Sequence, residues 1–199
     1  MIAVLLPLAC PGCGRPAAPV CPRCATTLRP APSTPAPDGV DVWAAAFAYE
    51  GVARELVARV KYRRAHAATA WLADAMAPLL PPPVPDVVTW APTSVERRRE
   101  RGFDHAELLA RRVARRIRRP VRRLLVRGPG PAQTGLPVRE RRTGPRFSAR
   151  GLVGASVLVV DDVATTGATL AAAADALRAA GASRVVALTA ARTPPPGRS

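Results

Sequence analysis

Val157-Leu158-Val159-Val160-Asp161-Asp162-Val163-Ala164-Thr165-Thr166-Gly167-Ala168-Thr169-Leu170 is the stretch that decides how this chain folds. Val157 to Val160 is apolar at every position, as a parallel strand buried on both faces requires. Such a strand delivers Asp161 and Asp162 at its carboxyl end, where open α/β sheets bind ligands. A short Thr/Gly loop then feeds a helix amino terminus, whose free N–H groups and dipole favour a phosphate. Gly167 lets the backbone approach that phosphate, and the threonine hydroxyls add donors. The two acids repel a phosphate; they suit the hydroxyls of a sugar carrying it, or a magnesium ion beside it. The residues alone therefore describe a sugar 5′-phosphate site. The plainer alternative is a strand end with an Asp cap and a Thr turn.

The Ala-rich run from Thr166 to Ala180 reads as a helix ended by Gly181, and Val185 to Leu188 as the next strand. On the amino-terminal side, Val87 to Ala91 is a continuous apolar run closed by Pro92. It precedes a helix from about Phe103 to Arg119, with Phe103, Ala106, Ala110, Val113 and Ile117 on one face and Pro120 at its end. Val42 to Tyr49 is strand-like, Gly51 to Val60 helical, and a further helix over 67–80 stops at Pro81-Pro82-Pro83. Val121 to Val126 is a weaker, peripheral strand. Apolar strands alternating with helices predict an α/β fold with a parallel sheet covered by helices.

With 199 residues, the chain has room for one ordinary domain and an appendage. Hydrophobic residues make up 48%, enough for a core, and no apolar run reaches the length of a membrane-spanning helix. The apolar start to Cys10 lacks a basic segment and is interrupted by Pro7, so it is read as part of a mature, cytoplasmic protein. The formal charge is +16, and most of it lies between Arg97 and Arg150, where 18 arginines face four acids. Such a block attracts a polyphosphate, a nucleic acid or an anionic membrane surface, unless it is merely a solvated helix face.

Cys10, Cys13, Cys21 and Cys24 are the only cysteines, spaced C-x2-C-x7-C-x2-C. Two such pairs are the usual source of four thiolates around a structural zinc. The rival reading, two disulfides, needs an oxidising compartment. The domain organisation expected is a zinc-binding module over 1–27, a stiff Pro-rich linker over 28–41, the α/β domain over 42–193 and a disordered tail over 194–199.

The signature from Val157 to Leu170 resembles the phosphoribosyl-pyrophosphate motif of type I phosphoribosyltransferases. The surroundings are similar to the ComF family. Trp90-Ala91-Pro92 is followed by Arg98-Arg99-Glu100-Arg101-Gly102-Phe103-Asp104-His105-Ala106-Glu107-Leu108-Leu109-Ala110, while Tyr49-Glu50-Gly51, Lys61-Tyr62 and the cysteine pairs complete that family's layout. Two features depart from it. Asp104-His105 stands where the family has Asn-Gln, and the loop containing Gln133, Leu136 and Arg141 has Gly144 where Asn is expected, with Phe147 arriving early.

The resemblance implies a Rossmann-like phosphoribosyltransferase domain that transfers ribose 5-phosphate from phosphoribosyl pyrophosphate (PRPP), with magnesium, to an unidentified acceptor. Asp161 and Asp162 become the catalytic pair. The PRPP contacts fall on Val163, Ala164, Thr165, Thr166, Gly167, Ala168 and Thr169, on Pro92, Thr93 and Ser94, and on Arg98, Arg99, Arg101 and Arg141. Backbone amides of Thr93, Ser94 and Val95 are expected to meet the pyrophosphate, with Arg97 just beyond. Arg139, Arg141 and Arg142 belong to a closing loop over 128–151. His66 and His105 are read as helix-surface residues, since neither sits at a strand end. By the same resemblance the family is linked to DNA uptake, with a competence helicase as partner. Two other functions carry the same signature: a PRPP sensor without catalysis, and a single-stranded-DNA-binding accessory protein. Against the last, the basic block holds only Phe103 and Phe147 for stacking.

Overall fold

The structure, a computed structural model, describes residues 9–17, 19–60, 66–128, 145–149, 151 and 154–194. Its centre is a four-stranded, all-parallel sheet in the order β1 (Val42–Ala48), β6 (Arg184–Arg192), β5 (Ser156–Ala164) and β2 (Val87–Trp90). The apolar run of β5 divides between the two faces, because successive strand residues point opposite ways. Leu158 and Val160 pack with α2 (Gly51–Val60), α3 (His66–Met76) and α5 (His105–Ile117) through Leu56, Leu72, Met76, Leu109 and Val113. Val157 and Val159 pack with α6 (Ala168–Ala179) through Leu170, Ala173 and Leu177. Burial on both faces explains why the strand has no polar alternation.

The strands at the centre outrun their apolar cores. β5 continues through Asp161 and Asp162 to Ala164, four residues past the expected end, because β6 keeps pairing with it: Asp161 with Thr189, Val163 with Ala191, Ala164 with Arg192. β2 stops at Trp90, opposite Val160. Beyond that pair no strand among the described residues lies on the β2 side of β5, and a crevice opens at the carboxyl end of the sheet.

Other elements differ from the expected ones. A short helix, α4 (Val95–Arg101), precedes α5; Ser94 caps it by accepting from the Arg97 N–H at 3.4 Å, and Gly102 ends it at φ 78°. The weak strand is β3 (Leu125–Arg127), paired antiparallel with β4 (Phe147–Ala149), and Val121 only bridges to Val88. The Pro-rich residues 28–41, expected as a linker, lie along the outer edge of β1. There the Ala31 N–H donates to Ala46 O and the Ala48 N–H to Arg29 O, on either side of Pro30, which has no N–H to offer. An edge strand is thereby covered. Asp41 closes the segment, its Oδ2 accepting from the Val185 N–H at 2.7 Å and from Arg178. Lys61-Tyr62, the closing-loop residues Gln133, Leu136, Arg139, Arg141, Arg142 and Gly144, and the tail beyond Pro194 lie outside the described residues.

Candidate active site

Asp161 and Asp162 sit at the mouth of the crevice, each only 9% exposed. Burial first, and then the neighbouring Asp162 charge, push Asp161 well above the usual carboxylate range. Its Oδ1 accepts from the Asp162 N–H at 2.8 Å, and Asp162 Oδ1 accepts from the Val163 N–H at 2.8 Å. Asp162 Oδ2 lies 3.1 Å from Nε2 of His105. That contact corrects the reading of His105 as a surface residue. As the first residue of α5 it points into the crevice and is 7% exposed. The signal was available: a helix starting just after a β2 loop begins at the carboxyl end of the sheet. The side chain of His66 lies outside the described residues.

The cavity here has a volume of about 190 Å³ and is lined by Ala91, Pro92, Thr93, Arg97, His105, Arg127, Asp161, Asp162, Val163 and Thr169. A smaller cradle of about 30 Å³ adjoins it, formed by Asp161 and the continuous run Val163, Ala164, Thr165, Thr166, Gly167, Ala168, Thr169 and Leu170. The predicted phosphate loop therefore wraps one space at the start of α6. Gly167 holds φ 80°, a conformation that strains other residues. A Cβ there would come within 2.8 Å of the Pro37 ring, so the edge-covering segment also walls the loop.

On the opposite wall the expectations hold less closely. The Thr93 N–H, assigned to the pyrophosphate, donates to Asp104 Oδ2 at 3.1 Å. Asp104 also caps α5, its Oδ1 accepting from the Ala106 N–H at 3.1 Å. One carboxylate thus ties the β2 loop to the helix that carries His105. Pro92 and Thr93 line the cavity, whereas Ser94, Arg98 and Arg99 do not. The side chain of Arg101 and all of Arg141 lie outside the described residues. The cations in the cavity are Arg97 and a residue the sequence reading passed over, Arg127. Arg127 donates to Pro92 O at 3.1 Å and lies over the Phe147 ring, 5.9 Å from its centroid. Burial, and then the Arg97 charge, lower its proton affinity. Two arginines facing one cavity, with Asp161, Glu96 and Asp104 near enough to Arg127 to offset part of their charge, suit a polyanion.

Residues 105–195 match the family model of the phosphoribosyl transferase domain. The sheet has the type I phosphoribosyltransferase fold. Three solved structures are similar over part of the chain. One, an allosteric regulatory enzyme of purine biosynthesis, is 27% identical, with 63% of this chain and 26% of that chain covered and a TM-score of 0.45. A glutamine PRPP amidotransferase from B. subtilis is 25% identical, with 62% and 26% covered and a TM-score of 0.45. A purine phosphoribosyltransferase from Pyrococcus horikoshii Ot3 is 16% identical, with 63% and 83% covered and a TM-score of 0.35. The match spans about a quarter of the length of the first two. No curated protein matches the sequence.

Away from this site, Cys10, Cys13, Cys21 and Cys24 are free thiols whose sulfurs all lie within 4.8 Å of one another. Cys13 and Cys21 Sγ are 3.7 Å apart, near the roughly 3.8 Å that separates two sulfurs on a tetrahedral zinc. The Cys21 N–H donates to Cys10 Sγ at 3.4 Å, and Gly14 turns the knuckle at φ 71°. The four ligands fit a structural zinc and leave no open coordination position. Among the described residues no helix is long and apolar enough to cross a membrane.

Proposed function

We propose that this chain is a ComF-like phosphoribosyltransferase that binds PRPP with magnesium and transfers ribose 5-phosphate to an acceptor. The observation that carries the reading is the junction of two spaces at Asp161. A cradle formed by the Thr/Gly loop at the start of α6 suits a phosphate, and a cavity lined by two arginines and two carboxylates suits the sugar and its diphosphate. The 5-phosphate takes the loop side of the cradle, from Val163 to Thr169, with Asp161 on its rim. Asp161 and Asp162 face the ribose hydroxyls. Arg97 and Arg127 face the diphosphate.

In the reaction the acceptor's lone pair forms a bond to the anomeric carbon as the bond from that carbon to the diphosphate oxygen breaks. The diphosphate leaves with the electron pair, and the acceptor's proton passes to solvent. Arg97 and Arg127 stabilise the negative charge that gathers on the leaving group, in a pocket where such contacts are strengthened by partial burial. The carboxylates offset the positive charge on the ribose. The oxygen donors of Asp161 and Asp162 suit magnesium, which when bound neutralises diphosphate charge.

The test is calorimetry with PRPP and magnesium on the parent and on Asp162→Asn, followed by product analysis with candidate bases and amines. Parent binding with a tenfold to hundredfold loss in the variant supports the assignment, as about 1.5–3 kcal/mol is expected for a charge-assisted hydrogen bond. A parent that does not bind overturns it. Binding without any product leaves the sensor role.

The partner reading has its own observation. Arg115, Arg118, Arg119, Arg122 and Arg123 are exposed with no ion pair among the described residues. This stripe suits weak, sequence-independent contact with single-stranded DNA, in keeping with a role in DNA uptake beside a helicase. Binding that falls steeply with salt supports it. Reduced thiolates at the cysteine knuckle suit the cytoplasm.

A further inference from the structure

A third cavity, of about 160 Å³, lies where the Pro-rich segment leaves β1, lined by Ala31, Pro32, Ser33, Thr34, Trp43, Ala44, Ala45 and Arg192. It shares no residue with the PRPP cavity or the cradle. Arg192, the last residue of β6, lays its guanidinium over the Trp43 ring at 4.6 Å, and its Nη1 donates to Pro32 O at 3.4 Å. Among the described residues it has no carboxylate within ion-pair distance. Three side-chain donors carried by lining residues are buried without a hydrogen-bond partner: Arg192 Nε, Trp43 Nε1 and Thr34 Oγ1. Buried donors are rarely left in this state, and a half-buried cation without an anion is costlier still.

The chemistry of the set is one-sided. A guanidinium and an indole N–H only donate, a threonine hydroxyl donates or accepts, and no carboxylate lines the cavity. The volume admits a small group rather than a nucleotide. We propose that the Arg192–Trp43–Thr34 cavity is a binding site for a small oxyanion, a carboxylate or a phosphate group, separate from the PRPP site. An oxyanion held there supplies the charge that Arg192 lacks, beside donors that have no partner of their own.

Its position gives it a consequence. The segment holding Thr34 continues to Pro37, whose ring walls Gly167, and the Thr193 N–H donates to Ala164 O at the start of the phosphate loop. An anion clasped between Thr34 and Arg192 therefore braces both flanks of that loop.

The experiment follows the indole N–H resonance of Trp43 in the full chain, assigned by its loss in Trp43→Phe, during titration with sodium phosphate and with sodium acetate at constant ionic strength. Saturable movement with either ion is expected, and the ion that acts identifies the source. Arg192→Gln is expected to weaken the response by roughly tenfold or more, while Asp162→Asn leaves it unchanged. Should Arg192→Gln unfold, Thr34→Val, which removes one hydroxyl at nearly constant shape, is expected to weaken it severalfold. No movement with either ion overturns the proposal. So does movement that persists unchanged in the Arg192 and Thr34 variants. Because the readout needs neither PRPP nor turnover, failure of the PRPP reading leaves this result standing.

Discussion

His105 Nε2 lies 3.1 Å from Asp162 Oδ2, and both residues are buried at the carboxyl end of β5. Since Asp162 Oδ1 accepts from the Val163 N–H, each carboxylate oxygen has one fixed protein contact. The orientation of Asp162 is therefore set before any sugar arrives, which removes an ordering cost from binding. The family resemblance has Gln at the position of His105, and a glutamine amide is likewise a polar neighbour for a carboxylate.

The first prediction follows from that contact. His105→Ala leaves a buried carboxylate with one contact fewer, costing about 1–3 kcal/mol of stability and roughly tenfold in PRPP affinity. His105→Gln should recover most of both. Urea unfolding and calorimetry on the two variants provide the check, and equal losses in Ala and Gln would show that the ring itself, rather than a polar group beside Asp162, matters.

Gly167 supplies the second. Its φ of 80° strains any side chain, and a Cβ would press on Pro37 at 2.8 Å. Gly167→Val should therefore abolish PRPP binding and also lower stability by about 1–3 kcal/mol, as for a strained backbone position. Replacing Pro37 by Ala removes the 2.8 Å contact with its Cγ but keeps its Cβ at 3.2 Å and leaves the φ strain, so the double variant Pro37→Ala/Gly167→Ala should regain only part of the loss found in Gly167→Ala. Thermal melts of the four proteins separate the two terms.

Much of this was legible in local pattern. The run from Val157 to Leu170 specified strand, loop and helix, because a fully apolar strand and a Gly-containing helix start leave few alternatives. Where β5 ends was not legible, because its last four residues are held by pairing with β6, and register between distant segments is not encoded in either strand alone. Arg127 was missed for a similar reason. It looks like one more arginine in a basic block, and only the antiparallel pairing of β3 with β4 fixes it above Pro92. The Pro-rich segment misled through composition. Its prolines read as a stiff linker, yet one N–H and one C=O flanking Pro30 suffice to fasten it to β1.

Asp41 gives the third prediction, a dependence on pH. Burial alone raises its proton affinity, but the Val185 N–H and the Arg178 guanidinium outweigh that and hold it below the ordinary 3.8. A depressed carboxylate contributes stability above its unfolded value and loses it as pH falls through the folded one. The difference in urea stability between the parent and Asp41→Asn should be full at neutral pH and shrink below about pH 4. Because the side chain is 41% exposed, the full difference is expected to be only about 1 kcal/mol. A difference that grows on acidification would contradict the pairing.

The last prediction concerns the cysteine cluster. Freshly reduced protein should carry about one zinc per chain, as four thiolates at this spacing hold one tetrahedral ion. Without metal, the Cys21 N–H pulls the Cys10 thiol down to about 6, while burial pushes Cys24 up to about 12. A thiol held that high keeps its proton at neutral pH, so zinc must displace it, and uptake releases protons. Apparent zinc affinity should therefore rise with pH across the neutral range, as a competition titration against a chromogenic chelator can measure. Removing the ion should loosen the knuckle but spare the sheet. Gly12 rests against Val52 on α2, a contact at the rim of the core, whereas β5 and β6 are buried by helices from elsewhere in the chain. The expected record is a thermal midpoint lower by a few degrees with far-ultraviolet dichroism nearly unchanged. Protein that carries no zinc when reduced, or whose zinc affinity is independent of pH, would remove the metal from the account of this module.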